Sequence, residues 1–246
     1  MNPLAYDEMN EIEKYHWWFV GRRKILSHII SNIQIKKNSK ILEIGCGTGG
    51  NLCMLSAFGE LTAVDMSSEA VEMAKRKNVM NAEIYLGSLP NAMPNFNDKF
   101  DLICMFDVLE HIEMHNEAIR LIEKYLKDDG QIILTVPAYQ WLYGKHDEHL
   151  HHKRRYCKNE LLDMVLAAGY HVNKITYFNT LLFPMALIVR IYEKYFRKHG
   201  EVKELRRMNK GVNSLLKKIF ASEMRVIENL TLPFGLSLLC IISKAR

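Results

Sequence analysis

The chain has 246 residues, 48% of them hydrophobic and 25% charged, with a formal net charge of +5. These are the proportions of an ordinary globular protein, and they exclude a collagen-like, low-complexity or disordered chain. The length suits one domain carrying an insertion better than two domains, so residues 1–246 are expected to form a single domain with 1–39 as an N-terminal helical flank.

Met1 to Ile12 is acidic and polar where an export signal would be basic and then apolar. The five cysteines (Cys46, Cys53, Cys104, Cys157, Cys240) form no C-x-x-C pair, so a reduced, cytoplasmic setting is expected. From Ala5 to Asn32, Met9, Ile12, His16, Phe19, Leu26 and Ile29 or Ile30 recur on one face and predict a leading helical region. Its aromatic run, Tyr15 to Phe19, fits a cap over a ligand or packing against a sheet edge equally well.

Beyond it, short runs rich in Ile, Val and Leu predict seven strands: Lys40–Ile44, Leu61–Asp65, Ala82–Leu86, Phe100–Met105, Gln131–Val136, Val172–Phe178 and Ser237–Ser243. Between them, Asn51–Phe58, Ser68–Lys77, His115–Tyr125 and Asn159–Ala168 carry apolar residues at helical spacing. The alternation predicts an α/β fold with a mostly parallel sheet, Gly130 and Gly169 falling at helix C-caps and Asn159-Glu160 opening the last helix of the series. Nearly sixty residues separate the last two strands, so 179–230 is expected to be a helical insertion, a lid that can be removed without disturbing a cofactor site. Its apolar run Leu181 to Phe196 precedes a basic one, Arg197 to Glu228, which holds nine Lys/Arg against four Asp/Glu and so carries the chain's net charge. That order fits an interfacial element docking on anionic membrane or a lid with solvated charges. No apolar run reaches the ~20 residues of a membrane-spanning helix.

Two motifs carry chemistry. Glu43-Ile44-Gly45-Cys46-Gly47-Thr48-Gly49-Gly50-Asn51 follows a predicted strand and opens a helix, where glycines let the backbone turn sharply and approach a ligand. Asp65, 20 residues after Gly45, stands where an acid would hold a ribose diol. The glycine spacing alone suits a nicotinamide dinucleotide or S-adenosylmethionine (SAM), but Glu43 would repel a pyrophosphate and suits a ligand bearing an ammonium and a sulfonium. The second motif, Asp107-Val108-Leu109-Glu110-His111-Ile112, ends the fourth strand at the expected switch point of the sheet.

With these residues the sequence resembles the class I SAM-dependent methyltransferases, within the broad group that includes ubiquinone-type O-methyltransferases. The resemblance implies a Rossmann-like seven-stranded sheet with an antiparallel last strand, and SAM as cofactor. It places Gly45, Cys46, Gly47, Gly49 and Asn51 around the methionine part, Asp65 on the ribose and Met66 on the adenine face. Ser88 and Leu89 lie near the adenine amino group, and Met105, Phe106 and Asp107 behind the ligand. Arg22 or Arg23 would meet the SAM carboxylate. Where such proteins often carry Gly-Asp after the third strand, this one has Gly87-Ser88.

On the acceptor side, Gly144 to Tyr156 holds four histidines, two acids, Arg154 and Arg155. The irregular histidine spacing in a loop converges on no face, so no metal is expected. His149 is a candidate to take a proton from a hydroxyl and Arg155 to hold an anionic group, against the alternative of a solvated polar loop. His111 and Glu110 lie nearer the sulfonium and are candidates to orient a nucleophile, against a plain place in the next helical turn. The expected acceptor is small or lipid-like and methylated at oxygen. RNA methylation and a non-catalytic SAM-binding module are the alternatives, with nucleic acid disfavoured because no RNA-binding motif appears.

Overall fold

In the computed structural model, which describes residues 3–33, 35, 36, 38–196 and 208–245, the seven apolar runs are strands. They are β1 (Ser39–Ile44), β2 (Gly59–Asp65), β3 (Ala82–Leu86), β4 (Phe100–Phe106), β5 (Leu126–Pro137), β6 (Tyr170–Phe178) and β7 (Ser237–Lys244). One sheet in the order β3-β2-β1-β4-β5-β7-β6 contains them all, parallel except that β7 runs antiparallel to both neighbours. The helices are α1 (Pro3–Ile12), α2 (Trp17–Asn32), α3 (Leu52–Leu55), α4 (Ser68–Arg76), α5 (His115–Ile122), α6 (Lys145–His149), α7 (Lys158–Ala167), α8 (Phe183–Phe196), α9 (Lys210–Ser222) and α10 (Met224–Asn229).

The central strands are apolar at almost every position because helices cover both faces of the sheet. Leu42, Ile103 and Met105 enter the layer filled by Ile119 and Ile122 of α5 and by Leu161 and Val165 of α7. Their neighbours Ile41, Leu102 and Cys104 enter the opposite layer, with Ile25, Leu26 and Ile30 of α2 and Leu216 and Phe220 of α9. From β1 the chain goes outward to β2 and β3, and then returns to β4 on the other side of β1. The strand order therefore reverses between β1 and β4, which opens a crevice at their carboxyl ends where ligands of such sheets bind.

Three expectations are corrected. The leading helix is broken at residues 13–16, where His16 takes extended backbone and its ring accepts from the Trp18 N–H at 3.3 Å as the N-cap of α2. Gly130 lies inside β5, which begins four residues earlier at Leu126 by pairing with Phe100, so it caps no helix. α7 starts one residue early, because Glu160 reaches back to the Cys157 N–H at 3.2 Å and makes Cys157 the N-cap.

The insertion packs into the body of the domain through α9. Phe220 of α9 is fully buried, stacks on Trp18 with ring centroids 5.1 Å apart and fills the space beside Gly21. The amide of Asn213 also bridges the Trp17 N–H and the Tyr15 carbonyl, both at 2.8 Å. Trp17 and Trp18 thus serve the packing reading of the aromatic run. Residues 197–207 of the basic stretch lie outside the described residues.

Candidate cofactor and acceptor site

The loop leaving β1 turns through Gly45, Gly47 and Gly49, whose φ angles of +75°, +53° and +86° disfavour any side chain. At Gly45 a Cβ would also come within 2.5 Å of Val108 in the second motif, so glycine is what lets the two motifs meet. The amides of Gly45 and Cys46 both donate to the Val64 carbonyl of β2, which pins the loop to the sheet. Asp65, at the end of β2, accepts from the Gly47 and Ser67 N–H groups at 2.7 and 3.0 Å. Burial raises its carboxyl above the usual range while these amides act against the rise.

Charge collects behind this loop. Glu43 is 1% exposed; its Oε1 accepts from Asn51 Nδ2 at 2.8 Å, while Oε2 has no partner. Burial pushes its carboxyl up to about 8, and the nearby Arg22 guanidinium draws it partly back. Arg22, projected from α2 and lying 5.9 and 6.0 Å from the Trp18 and Phe19 ring centres, pairs with Asp107 and leaves its Nε unpartnered. Asp107 has a φ of +58° and accepts from the Thr135 hydroxyl at 3.0 Å. Of the two candidate arginines, then, Arg22 faces the carboxyl end of β4, whereas Arg23 turns to the Glu13 carbonyl.

These residues fit SAM. An orphaned guanidinium nitrogen and an orphaned carboxylate oxygen await the carboxylate and ammonium of a zwitterion, and a buried acid ends β2 where a ribose would stand. Met66 is 72% exposed, available as a face for a ring, and Ser88 and Leu89 follow β3. Cys46 is buried in the loop, and burial raises its thiol, which is therefore neutral. Met105 and Phe106 are buried in opposite layers, so the two support the crevice from different sides of the sheet.

Helix α1 and the break after it add residues that no motif marks. Glu13 accepts from the Thr48 hydroxyl at 3.0 Å, pairs with Lys77, and occupies the space where a Gly50 Cβ would stand. Tyr6 is buried close to Asp65 and hydrogen-bonds the Ser67 side chain. The leading segment thus lies over the glycine loop, a placement its helical periodicity left open.

On the acceptor side the loop after β5 is ordered around Asp147, which is fully buried in α6. Burial opposes its ionisation, yet His152 at 2.9 Å and Arg155 Nε at 2.8 Å hold its carboxyl well below the usual range. Arg155 Nη1 also donates to the Ala138 carbonyl at 3.2 Å, so this guanidinium organises the loop. His149 is exposed at the end of α6, while the rings of His111 and His152 meet edge to face at 4.7 Å. Glu110 is fully buried beside them with both carboxylate oxygens unpartnered. Burial and the neighbouring His152 push the His111 ring down to about 4.

The profile of a methyltransferase-domain family matches residues 20–178, which contain both motifs and the strands from β1 to β6. The chain therefore belongs to that family, the SAM-dependent class I methyltransferases. It is 25% identical over 151 residues to a demethylmenaquinone methyltransferase of Staphylococcus epidermidis, covering 56% of this chain and 61% of that protein. The chain thus spans about three fifths of the length of that curated relative. Among solved structures it resembles the putative methyltransferase bound to the Trm112 activator of Haloferax volcanii. There the TM-score is 0.63 at 16% identity, covering 99% of this chain and 94% of that one. It also resembles phosphoethanolamine N-methyltransferase 2 of Haemonchus contortus in complex with SAM, with a TM-score of 0.59 at 15% identity over 90% of this chain and 52% of that one. At such identities these likenesses show the fold.

Proposed function

We propose that the protein methylates an oxygen of a small amphiphilic acceptor, reached along the exposed apolar face of α8. SAM supplies an electrophilic methyl group on a good leaving group, so the residues chiefly align the partners and exclude water. Glu43 and Arg22 take the amino-acid end, Asp65 the ribose, and Met66, Ser88 and Leu89 the adenine. His111 and His149 are the candidates to orient a hydroxyl, and Arg155 acts through Asp147 as a positioning residue.

The observation that carries the acceptor class is a stripe of exposed apolar side chains on α8 and the turn before it, which follow the carboxyl end of β6. Leu181, Met185, Ile188 and Val189 are 57%, 46%, 69% and 50% exposed, and their spacing puts them along one stripe. An aromatic chain links the loop after β5 to the first residue of α8: Trp141 to Tyr139 to Phe183 to Phe234, with centroids 5.5 to 5.8 Å apart. Contiguous exposed apolar surface marks a place where something apolar binds. The menaquinone-type substrate in the name of the Staphylococcus relative supports the same class. Among the described residues no helix is long and apolar enough to cross a membrane. The stripe serves, in this reading, as a surface contact with an acceptor held in lipid.

The test uses methyl-labelled SAM with the full chain and total cell extract, followed by mass spectrometry of organic and aqueous phases. Label is expected in organic-soluble products, reduced at least tenfold in an Ile188→Asp, Val189→Asp double variant that still binds SAM. Label confined to RNA or to water-soluble products, or a double variant as active as the parent, would overturn the reading.

A further inference from the structure

We propose that Glu110, His111 and His152 form the protein side of a divalent metal site for a zinc-like cation. One ligand atom from each of the three lies within 4.8 Å of the others, with His152 Nε2 4.0 Å from Glu110 Oε1. Two donors on a common ion, each about 2.0–2.2 Å from it, stand roughly 3–4 Å apart, so a small inward movement of the side chains closes the site. The chain reaches the position from two directions. Glu110 and His111 come from the turn after β4, and His152 from the loop beyond α6. The Lys153 N–H donates to the Glu110 carbonyl at 2.8 Å, and Lys153 Nζ pairs with Glu113 at 2.7 Å, which clasps the two segments together.

The second observation is Glu110 itself, fully buried with neither carboxylate oxygen hydrogen-bonded. A buried carboxyl group without partners is costly, and native proteins rarely leave one unexplained. A cation among these three side chains supplies what Glu110 lacks. Neither histidine is a spare surface ring. His152 Nδ1 meets Asp147 Oδ1 at 2.9 Å, which keeps the proton on Nδ1 and leaves the Nε2 lone pair toward Glu110. Arg155 in turn holds Asp147. The His111 ring hydrogen-bonds the backbone of His151, which fixes its position beside His152. Carboxylate behind imidazole is the usual support of a metal-binding histidine.

Two imidazoles and one carboxylate select a borderline ion such as zinc or cobalt over magnesium or calcium, which take oxygen ligands. Three protein ligands leave a coordination position open, as in catalytic rather than structural sites. Use of that position by an acceptor oxygen rests on the function proposed above; occupancy of the site does not.

The test is a titration of the chelator-treated full chain with cobalt(II) chloride. One equivalent is expected to produce visible d–d absorption, and one equivalent of zinc chloride to abolish it. Glu110→Gln and His152→Ala should each weaken cobalt binding at least tenfold, while SAM binding measured by calorimetry stays within twofold and reports an intact fold. His171→Ala, on exposed β6 surface, should leave cobalt binding unchanged. Absence of stoichiometric absorption in the parent protein, or bands that survive in both ligand variants, would overturn the site. Because the readout is metal binding, failure of the acceptor assay leaves this result standing.

Discussion

Glu43 holds a carboxyl group where water cannot reach it, with one oxygen bonded to Asn51 and the other to nothing. Its value of about 8 in the fold lies above the roughly 4.3 of an unfolded glutamate, so the folded state binds the proton more tightly. The stability this contributes is complete below about pH 4 and is lost as pH rises through 8. Glu43→Gln removes that titration. In urea unfolding the variant should match the parent near pH 4 and exceed it at pH 9 by up to roughly 5 kcal/mol. Parallel pH profiles for the two proteins would show that Glu43 is not the buried acid described. Glu43 and Asp65 were both legible in the sequence, since an acid at a fixed offset from a glycine loop has few other uses. Glu13 was not, because nothing in its own segment indicates that α1 folds back over Thr48 and Lys77.

At the scale of elements, the coupling between α2 and α9 decides how the N-terminal flank is held. Phe220 is fully buried, stacks on Trp18 and Phe178 and sits against Gly21. Truncating such a ring leaves a cavity that surrounding groups fill only in part. Phe220→Ala should cost about 3–5 kcal/mol in denaturant unfolding. A loss below about 1 kcal/mol would mean that α9 is an appendage, as its sequence position suggested. Helical periodicity showed that the insertion is helical. It did not show that α9 and α10 bury Leu216, Phe220 and Ile227 in the layer shared with α2, because an apolar stripe does not name its partner.

For the whole molecule, cofactor binding links both halves of the crevice and α1 above it. A ligand that binds only the folded state stabilises it by about 2.7 kcal/mol at a hundred times its dissociation constant. SAM at that excess should raise the melting temperature, whereas NAD should not, because the unpartnered atoms of Glu43 and Arg22 match the two ends of a zwitterion and not a pyrophosphate. Asp65→Ala should reduce SAM affinity at least tenfold by calorimetry, as charge-assisted hydrogen bonds worth about 1.5–3 kcal/mol are lost. Unchanged affinity in that variant would remove Asp65 from the site, and an NAD-induced shift equal to that of SAM would dismiss the role given to Glu43.

The order of strands and helices, the two motifs on strand ends and the family itself follow from local sequence: periodicity fixes element type, and a glycine loop between strand and helix has one geometry. Asp65 ends β2 and Asp107 follows β4, so their places beside the crevice were legible too, whereas the choice of Arg22 over Arg23 as the residue facing β4 was not. Interactions between distant segments were decided only by the fold. His152 lies 41 residues beyond His111, and its spacing from the other loop histidines suggested no convergence. The turn after β4 and the loop after β5 meet because the parallel pairing of β4 with β5 brings both strands' carboxyl ends to the same edge. There Asp147 is buried by Arg155 and His152, and Glu110 is left with a carboxylate that only a tertiary neighbour can satisfy.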